Sequence, residues 1–444
     1  MTTQEYIKQH RNDDVYRLAL AKTPEGVDLQ YALQQISAYQ ILTKKVPSWA
    51  ECNELIFPRQ LSLEQSSSEL TARYKAQLIR DFMGNQPFAH IDLTGGMGID
   101  CYFIAQHTQK SHYVELNPEL CQIAQHNFAH LNSNISVHNT TAEEFLNQIT
   151  EYRVQSTDNR VQMTDNRVQS TEHRLQITDY RLETTDKSSL LIPHSSSLIY
   201  IDPARRGDHG QKLVSIADCQ PNVIELLPQM FELTDKVVVK LSPMLDITRA
   251  INELPHIEKL YVISVGNECK ELLLFINKKY NAETQIHAIN LKSTVNNQQS
   301  TDNPTPFSGF ISHESALSLS YAHEVGKYLY EPYAAHLKSG LYKTIAQQYN
   351  CEKLHQHSHL YTSTELNNDF PGRKFEVKEL VPFDKKSAKT LFKSLKQANL
   401  TTRNFPLSVS ELRTQYTIKD GGETYIFATT LHDDSKVLIV CQKA

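Results

Sequence analysis

The sequence predicts an α/β fold, in which a doubly wound sheet lies between an N-terminal helical region and small C-terminal α+β domains. Between residues 88 and 280, short apolar runs alternate with amphipathic stretches, as strands alternate with helices in such sheets. Helix-forming residues with few glycines fill residues 1–84. With 40% hydrophobic and 21% charged residues, the 444-residue chain has the composition of a globular protein that buries a core.

The composition also excludes several classes of protein. No apolar run approaches the roughly 18 residues that cross a membrane, and the first residues lack the apolar stretch of a signal peptide. We therefore expect a cytoplasmic protein without a membrane partner. The seven cysteines are scattered and include no CxxC pair, which argues against a disulfide framework and against a zinc finger.

The N-terminal helical region is predicted to cover 1–84. Its last helix has a clear beginning in the sequence SSSELTARYKAQLIR, residues 66–80, where serines precede an amphipathic run. Serine side chains accept hydrogen bonds from the free N–H groups of a first helical turn. This pattern predicts a capped helix directly before the sheet.

Seven apolar runs in residues 85–280 are predicted to form a Rossmann-like sheet of about seven strands. They are FAHIDLT, KSHYVEL, ISVH, SLIYID, KVVVKLS, KLYVISV and ELLLFI. Amphipathic stretches between the first five are typical of crossover helices. Only a short polar connector separates the last two, which predicts an antiparallel hairpin at the edge of the sheet.

One segment, residues 150–194, interrupts this pattern with five seven-residue units. They read RVQSTDN, RVQMTDN, RVQSTEH, RLQITDY and RLETTDK. A coiled coil needs two apolar positions in each heptad, and here only one is reliably apolar. We interpret the segment as a low-complexity insertion in a surface loop, with a short helical oligomerisation arm as the alternative.

The remainder of the chain divides into three parts. Residues 281–329 are polar and are predicted to be a linker or loop, and two small α+β units follow at 330–370 and 371–444. The last unit carries 13 Lys and Arg against 8 Asp and Glu, whereas residues 1–370 carry 32 against 42. This asymmetry fits a polyanion-binding module and equally a solvated basic surface.

The strongest motif is IDLTGGMGID, Ile91–Asp100, which follows the first strand and opens a helix. A glycine turn at this place lets a ligand approach the backbone and presents a helix N-terminus. The order acid–x–x–Gly–Gly–x–Gly resembles motif I of the class I S-adenosylmethionine (SAM) methyltransferases. This resemblance implies that five residues bind the cofactor SAM, namely Asp92, Thr94, Gly95, Gly96 and Gly98.

Two further residues belong to the predicted cofactor site. The second strand ends at Glu115, where a carboxylate can accept hydrogen bonds from both ribose hydroxyls; a helix-capping acid is the other interpretation. After the third strand, methyltransferases usually place an acid that contacts the adenine amine. Here the sequence is Asn139-Thr140-Thr141-Ala142, so the adenine contact is expected from the Thr141 hydroxyl or from backbone groups.

The fourth strand ends in Asp202-Pro203-Ala204-Arg205-Arg206, at the edge where ligands bind in doubly wound sheets. The position resembles motif IV of the methyltransferases, and this implies that Asp202 and Pro203 are catalytic and orient the methyl acceptor. Ala204 and Arg205 replace the proline and aromatic residue that are usual there. Arg205 and Arg206 are expected to bind substrate by stacking on a base or by pairing with phosphate, unless they are simply solvated.

Other charged residues are candidates for substrate or metal binding. Lys240, in KLSPMLD, ends the fifth strand and could line the substrate pocket, although strand-end charges are common. The alternating residues Cys351, His355, His357 and His359 share one strand face, but no second ligand group has metal-site spacing. We expect no metal.

A lysine stripe marks the C-terminal unit. At ~100° per residue, Lys385, Lys389, Lys393 and Lys396 fall within ~80° of one helix face. Such a stripe is typical of a solvated surface and also of a surface that contacts phosphates. The first three lysines are our candidates for RNA contacts.

Together, SSSELTARYKA, DLTGGMGID, DPARRG, KLSP and GNECKELLLF resemble one bacterial family of class I SAM-dependent methyltransferases. Its members carry a helical N-terminal region, a small ferredoxin-like unit and a C-terminal THUMP-like domain, and YLYEPYAAHLKSGLYK and IKDGGETYIFATT agree with these. The resemblance implies SAM-dependent methyl transfer, with RNA modification as the main hypothesis and N- or O-methylation of a nucleotide as the reaction. A protein or DNA substrate, or SAM or RNA binding without turnover, are the alternatives.

Overall fold

The structure is a computed structural model that describes residues 1–58, 66–152, 196–205, 215–292 and 305–444. From residue 153 to residue 194, the predicted insertion lies outside the described residues. Within them, the chain divides into two compact units. One comprises 1–258 and 273–282, and the other comprises 259–272, 283–292 and 305–444.

The predicted N-terminal region is helical. Its helices are α1 (Thr3–His10), α2 (Val15–Leu20), α3 (Leu29–Lys45), α4 (Pro47–Ala50) and α5 (Glu69–Phe82). As the serine pattern predicts, the Ser68 hydroxyl accepts a hydrogen bond from Thr71 N and caps α5. Ala72, Ala76 and Ile79 of α5 are buried, so the amphipathic face found in the sequence packs inward.

The α/β fold is confirmed, with a sheet of nine strands among the described residues. These are β1 (Ala89–Asp92), β2 (Lys110–Glu115), β3 (Ile135–Asn139), β4 (Ser197–Ile201), β7 (Lys236–Leu241), β8 (Ile257–Val265), β9 (Glu268–Asn277), β10 (Gln285–Leu291) and β11 (Phe307–Gly309). They are ordered β11-β10-β8-β9-β7-β4-β1-β2-β3. A small separate ribbon pairs β5 (Ala204–Arg205) with β6 (Cys219–Gln220).

Five strands and the helices between them position the candidate site. Strands β1, β2, β3, β4 and β7 pair in parallel, so their carboxyl ends meet at one edge of the sheet. The helices α6 (Ile99–Ala105), α7 (Pro118–His130), α8 (Val223–Leu233) and α9 (Ile247–Glu253) follow β1, β2, β6 and β7. The sequence motifs at the ends of β1, β2 and β4 therefore share this edge.

The hairpin is present, but its predicted place at the edge of the sheet is wrong. Strands β8 and β9 are neighbours, joined through Gly266 and Asn267, whose φ angles of 58° and 69° suit a tight hairpin turn. On its outer side β8 pairs in parallel with β10, and β11 follows. Part of the predicted linker, 281–329, therefore forms strands, and the helix α10 (Ile311–Ala316) also lies there.

The C-terminal residues form one seven-stranded sheet in the second unit. Its strands are β12 (Tyr328–Pro332), β13 (Glu352–Lys353), β14 (Tyr361–Ser363), β15 (Gly372–Pro382), β16 (Asn399–Arg403), β17 (Tyr425–Thr430) and β18 (Lys436–Lys443), in the order β13-β14-β12-β15-β18-β17-β16. The helices are α11 (Ala334–Ser339), α12 (Tyr342–Gln348), α13 (Lys385–Ser394) and α14 (Val409–Tyr416). The two predicted α+β units thus share a sheet through the antiparallel pair β12 and β15.

Candidate functional site

The glycine loop between β1 and α6 has a conformation that depends on its glycines. A Cβ atom on Gly95 would lie 2.2 Å from the Tyr113 ring, and one on Gly98 would lie 2.7 Å from the Phe128 ring. Gly96 differs, because only Thr94 O, at 3.9 Å, is near its Cβ position, and its φ is +52°. Gly95 and Gly98 therefore allow the loop to pack on the protein, while Gly96 leaves an open approach to the backbone.

Glu115, at the end of β2, holds the glycine loop from the opposite side. Its Oε2 accepts a hydrogen bond from Gly96 N at 2.9 Å, and its Oε1 accepts one from Asn117 N at 2.9 Å. The Tyr113 hydroxyl donates to Gly96 O at 2.6 Å. Each carboxylate oxygen has a second lone pair, so Glu115 can still accept hydrogen bonds from two ligand hydroxyls.

Asp92 and Thr94 lie beneath the loop and connect it to β4. Asp92 is only 1% exposed and accepts a hydrogen bond from Thr94 N at 3.0 Å. Burial raises the pKa of Asp92 to about 8, against the effect of that hydrogen bond and with the help of the nearby Asp100 and Asp202 carboxylates. Thr94 Oγ1 accepts a hydrogen bond from Asp202 N at 2.6 Å. The two residues therefore fix the predicted cofactor loop against the predicted catalytic strand end.

Asp202 and Lys240 form an ion pair at the ends of β4 and β7, through Asp202 Oδ2 and Lys240 Nζ. The Asp202 side chain is 37% exposed and that of Lys240 is 13% exposed. Pro203, directly after Asp202, is buried. The sequence predicted each of these residues separately, and the structure brings the carboxylate and the ammonium into contact.

Behind this pair lies a buried polar network that the sequence analysis missed. Asp100 Oδ2 accepts hydrogen bonds from Lys75 Nζ at 2.9 Å, Ser67 Oγ at 2.8 Å and the Tyr200 hydroxyl at 2.9 Å, and it lies 3.6 Å from Lys240 Nζ. Although burial alone would raise the pKa of Asp100, the ammonium groups of Lys75 and Lys240 hold it well below its usual range. Asp100 Oδ1 is buried and lacks a hydrogen-bond partner among the described residues.

One sequence signal could have revealed part of this network. Lys75 is a charged residue on the apolar face of α5, between the buried Ala72, Ala76 and Ile79. A lysine in such a position is almost never buried unless it is paired. The sequence therefore required a carboxylate partner for Lys75, although it could not identify Asp100.

The Thr141 side chain caps a helix in this structure. Its Oγ1 accepts a hydrogen bond from Glu144 N at 3.1 Å, which caps the helical residues 142–152. The Thr141 hydroxyl proton is not used by this contact, so a hydrogen bond to a ligand acceptor stays compatible with it.

Two exposed apolar side chains next to strand ends were also missed. Leu116, directly after Glu115, is 65% exposed, and Met244, in the turn after β7, is 74% exposed. Exposed large apolar side chains at a ligand-binding edge are candidates for contacts with planar ring systems.

The remaining predicted residues lie elsewhere. Arg205 ends a described range, with only its backbone described, and Arg206 lies outside the described residues. In the second unit, Lys385, Lys389 and Lys393 are exposed on α13, while Ala388, Leu391 and Phe392 of the same helix are buried. The helix thus has the basic outer face and apolar inner face that its sequence predicts.

The described part of the chain lacks two kinds of feature. No group of three or more His, Cys, Asp and Glu side chains there is arranged to hold a metal ion. Among the helices of these same ranges, none is both long enough and apolar enough to cross a membrane.

SAM carries ribose hydroxyls, an adenine ring and positive charge, and residues at the sheet edge are suited to bind it. Glu115 suits the ribose, and the open Cβ position of Gly96 suits close approach to the backbone. The residues present therefore fit this cofactor.

Comparisons with known proteins identify the domains and the family. A ferredoxin-like domain model matches residues 328–371, and a THUMP domain-like model matches residues 372–443. No curated protein matches the sequence. The crystal structure of a candidate methyltransferase from Porphyromonas gingivalis W83 is 32% identical, with a TM-score of 0.79, and the match covers 100% of this chain and 97% of that one.

More distant structures match at low similarity. A candidate class I SAM-dependent methyltransferase from Listeria monocytogenes is 9% identical with a TM-score of 0.35, covering 66% of this chain and 93% of that one. An O-methyltransferase from Bacillus cereus, in complex with S-adenosylhomocysteine (SAH), is 10% identical with a TM-score of 0.31, covering 54% and 100%. Similarity this low indicates nothing about the substrate of this chain. The full-length match to the P. gingivalis protein is decisive, and the chain belongs to a bacterial family of class I methyltransferases with a ferredoxin-like unit and a C-terminal THUMP-like domain.

Proposed function

We propose that the protein is a SAM-dependent methyltransferase that acts on RNA. The observation that carries the proposal is the connection from Glu115 through Gly96 to Thr94 and Asp202. It joins a ribose-binding carboxylate to a carboxylate at the end of β4, across one edge of a methyltransferase sheet. Such an edge is the usual ligand site of doubly wound folds.

The cofactor half of the site is formed by the ends of β1 and β2. We assign Glu115 to the ribose hydroxyls, Gly96 to close backbone contact and Leu116 to one face of the adenine. Thr141 closely follows the end of β3 in sequence, and we assign its hydroxyl to a hydrogen bond with the adenine. Asp92 and Thr94 act indirectly, because they hold the loop that carries Gly95, Gly96 and Gly98.

The acceptor half is formed by the ends of β4 and β7. When bound, SAM supplies an electrophilic methyl group on its sulfonium. Asp202 accepts a hydrogen bond from the methyl acceptor, and the buried Pro203 fixes the backbone that follows it. Lys240 pairs with Asp202 and so lies within reach of the same acceptor. These residues orient the acceptor, which is the main contribution a protein makes to methyl transfer.

RNA is proposed as the substrate because of the second unit. Its C-terminal domain matches the THUMP-like model, and exposed lysines form one face of α13. Clustered lysines on one helix face are an electrostatic footprint for phosphates. Arg205 and Arg206 are proposed to add phosphate contacts beside the acceptor site.

Transfer of a labelled methyl group tests the proposal. The purified protein is incubated with methyl-labelled SAM and total RNA from a strain of the source organism that lacks the gene. Label should enter RNA with the wild type and not with Asp202→Asn, while Asp81→Asn serves as a matched control on an exposed carboxylate. A wild type that labels the protein or DNA of the same strain but not its RNA would contradict the RNA assignment, and a wild type that does not bind SAH in calorimetry would contradict the enzyme assignment.

A further inference from the structure

Four charged side chains form a row of alternating sign that leads from the interior to the candidate site. In order, they are Lys75, Asp100, Lys240 and Asp202, joined by the Lys75–Asp100 contact of 2.9 Å, the Lys240–Asp100 contact of 3.6 Å and the Lys240–Asp202 ion pair. Their side chains are 0%, 10%, 13% and 37% exposed. The inner end is therefore anchored in the core, and the outer end is accessible to a ligand.

This row fixes the charge of Lys240 beside the acceptor position. Its ammonium lies between the carboxylates of Asp100 and Asp202 and also contacts Ser67 Oγ at 3.4 Å. The contacts with two carboxylates hold the Lys240 ammonium in this position. Lys75 pairs with the Asp100 carboxylate from the buried side. Hydrogen bonds from Lys75, Ser67 and Tyr200 hold Asp100 in place.

The outer pair offers a ligand a carboxylate acceptor beside a positive charge, because the Lys240 ammonium already contacts Asp202, Asp100 and Ser67. Asp202 uses Oδ2 for the ion pair, and its exposed carboxylate can accept a proton or hydrogen bond through Oδ1. A hydroxyl group can donate a hydrogen bond to Asp202 Oδ1 and place its oxygen near the Lys240 charge. An exocyclic amine of a base can donate the same hydrogen bond, so the charge that develops on the attacking atom decides between the two acceptors.

The charge that develops during the reaction distinguishes the same two acceptors. A hydroxyl oxygen gains negative character as its proton leaves, and a fixed ammonium nearby stabilises that charge. An attacking neutral amine gains positive charge, which the Lys240 ammonium would oppose.

We propose that the methyl acceptor is the ribose 2′-hydroxyl of RNA, held between the Asp202 carboxylate and the Lys240 ammonium; this inference rests on the proposed function. The O–H bond breaks and its proton passes to Asp202 Oδ1, while the oxygen electron pair forms the new O–C bond. The electrons of the broken C–S bond remain on the sulfur of the cofactor. Lys75 and Asp100 are positioning residues that hold Lys240 in place.

The position of the label in RNA tests this acceptor directly. A 2′-O-methyl group blocks alkaline cleavage of the adjacent phosphodiester, so labelled RNA should yield labelled, alkali-stable dinucleotides. Label in mononucleotides with a methylated base would overturn the 2′-hydroxyl assignment and leave the proposed RNA methyltransferase intact. RNA that takes up no label from a protein that binds SAH would overturn the two proposals together.

Variants at the pair supply a second, independent test. Lys240→Met and Asp202→Asn should each lower the single-turnover rate by about 100-fold or more, whereas Lys240→Arg, which keeps the charge, should lose less. SAH affinity in calorimetry should stay close to that of the wild type in all three variants, because the pair serves the acceptor. Lys279→Met, at an exposed lysine that pairs with Asp235, is the matched control.

The outcomes separate folding from chemistry. The far-UV circular dichroism spectrum and SAH affinity report whether a variant is folded, and Lys240→Arg provides a less disruptive change if Lys240→Met is unfolded. A Lys240→Met protein that binds SAH and turns over as fast as Lys279→Met would overturn the role of the ammonium. A Lys240→Arg protein as slow as Lys240→Met would overturn the argument from charge.

Discussion

Glu115 joins the glycine loop to the predicted ribose site, and this makes it the clearest residue for a binding test. Glu115→Gln should lower SAH affinity by about 10- to 100-fold, because hydrogen bonds to a charged acceptor contribute roughly 1.5–3 kcal/mol. Isothermal titration calorimetry measures the change. A variant at Gly96 would be less informative, since any side chain at its φ of +52° adds backbone strain.

The matched control for Glu115 is Glu119→Gln, an exposed acid in the first turn of α7. Its SAH affinity should equal that of the wild type. If Glu115→Gln and Glu119→Gln bound SAH equally, the carboxylate at the end of β2 would serve the loop alone and not the cofactor.

The raised pKa of Asp92 predicts an unusual dependence of the free energy of unfolding on pH. Its pKa is raised from 3.8 to about 8 in the folded chain, so between these values unfolding releases its proton. The free energy of unfolding of the wild type, relative to Asp92→Asn, should therefore be highest near pH 4 and fall as the pH rises towards 8. The slope is at most about 1.4 kcal/mol per pH unit.

Urea unfolding of the wild type and Asp92→Asn at pH 5 and pH 8 measures this difference. Asp81→Asn, at an exposed aspartate, should differ from the wild type by the same amount at the two pH values. A pH-independent difference for Asp92→Asn as well would show that Asp92 is ionised in the folded protein.

Among the helices and strands, α13 is the element for which we predict a role in RNA binding. Replacing Lys385, Lys389 and Lys393 by Gln should weaken RNA binding and lower the slope of log affinity against log salt by roughly 2 to 3, because each phosphate contact releases counterions. SAH affinity should stay unchanged. Fluorescence anisotropy of labelled RNA at several salt concentrations gives affinity and slope together.

A control with the same loss of charge uses Lys8, Lys22 and Lys44, which are exposed lysines of the N-terminal region. Its salt slope should match that of the wild type. Parallel lines at equal affinity for the α13 variant would remove this helix from the RNA-binding account.

The sequence predicted the elements that rest on local patterns better than those that rest on distant partners. The glycine turn, Glu115 and Asp202 each stand at the end of an apolar strand, so periodicity placed them at the sheet edge, and the resemblance to methyltransferase motifs supplied their proposed roles. The Lys75–Asp100 contact joins residues 25 positions apart, and no local pattern specifies it. The sequence analysis also missed strand β10. Its sequence QIHAINL stands next to a polar segment, and its partner β8 is joined to it in parallel and not by a local hairpin.

At the scale of the whole molecule, deletion of the insertion after residue 152 tests whether the rest of the chain keeps its stability without it. The helical residues 142–152 include Ile149, which is 1% exposed. A deletion must therefore begin after Tyr152, later than residue 150, where the sequence analysis begins the predicted insertion. Replacing residues 153–194 by a short Gly-Ser linker should change the free energy of unfolding little, because loop length costs only logarithmically.

Thermal unfolding and SAH calorimetry of the deletion variant check this prediction. A variant that starts the deletion at Ile149 should be less stable by about 2–5 kcal/mol, since it removes a buried isoleucine. A large loss of stability in the shorter deletion would show that the inserted residues pack on the folded protein.

The pairing of β12 with β15 has a consequence for inheritance. Residues 328–371 and 372–443 match two separate family models, yet Leu329 and Phe375 are register partners within one sheet. A recombination event between them would leave each fragment with an unpaired strand edge, which invites aggregation. Gene fusion and exchange are therefore expected to pass the ferredoxin-like and THUMP-like segments between lineages as a single inherited cassette.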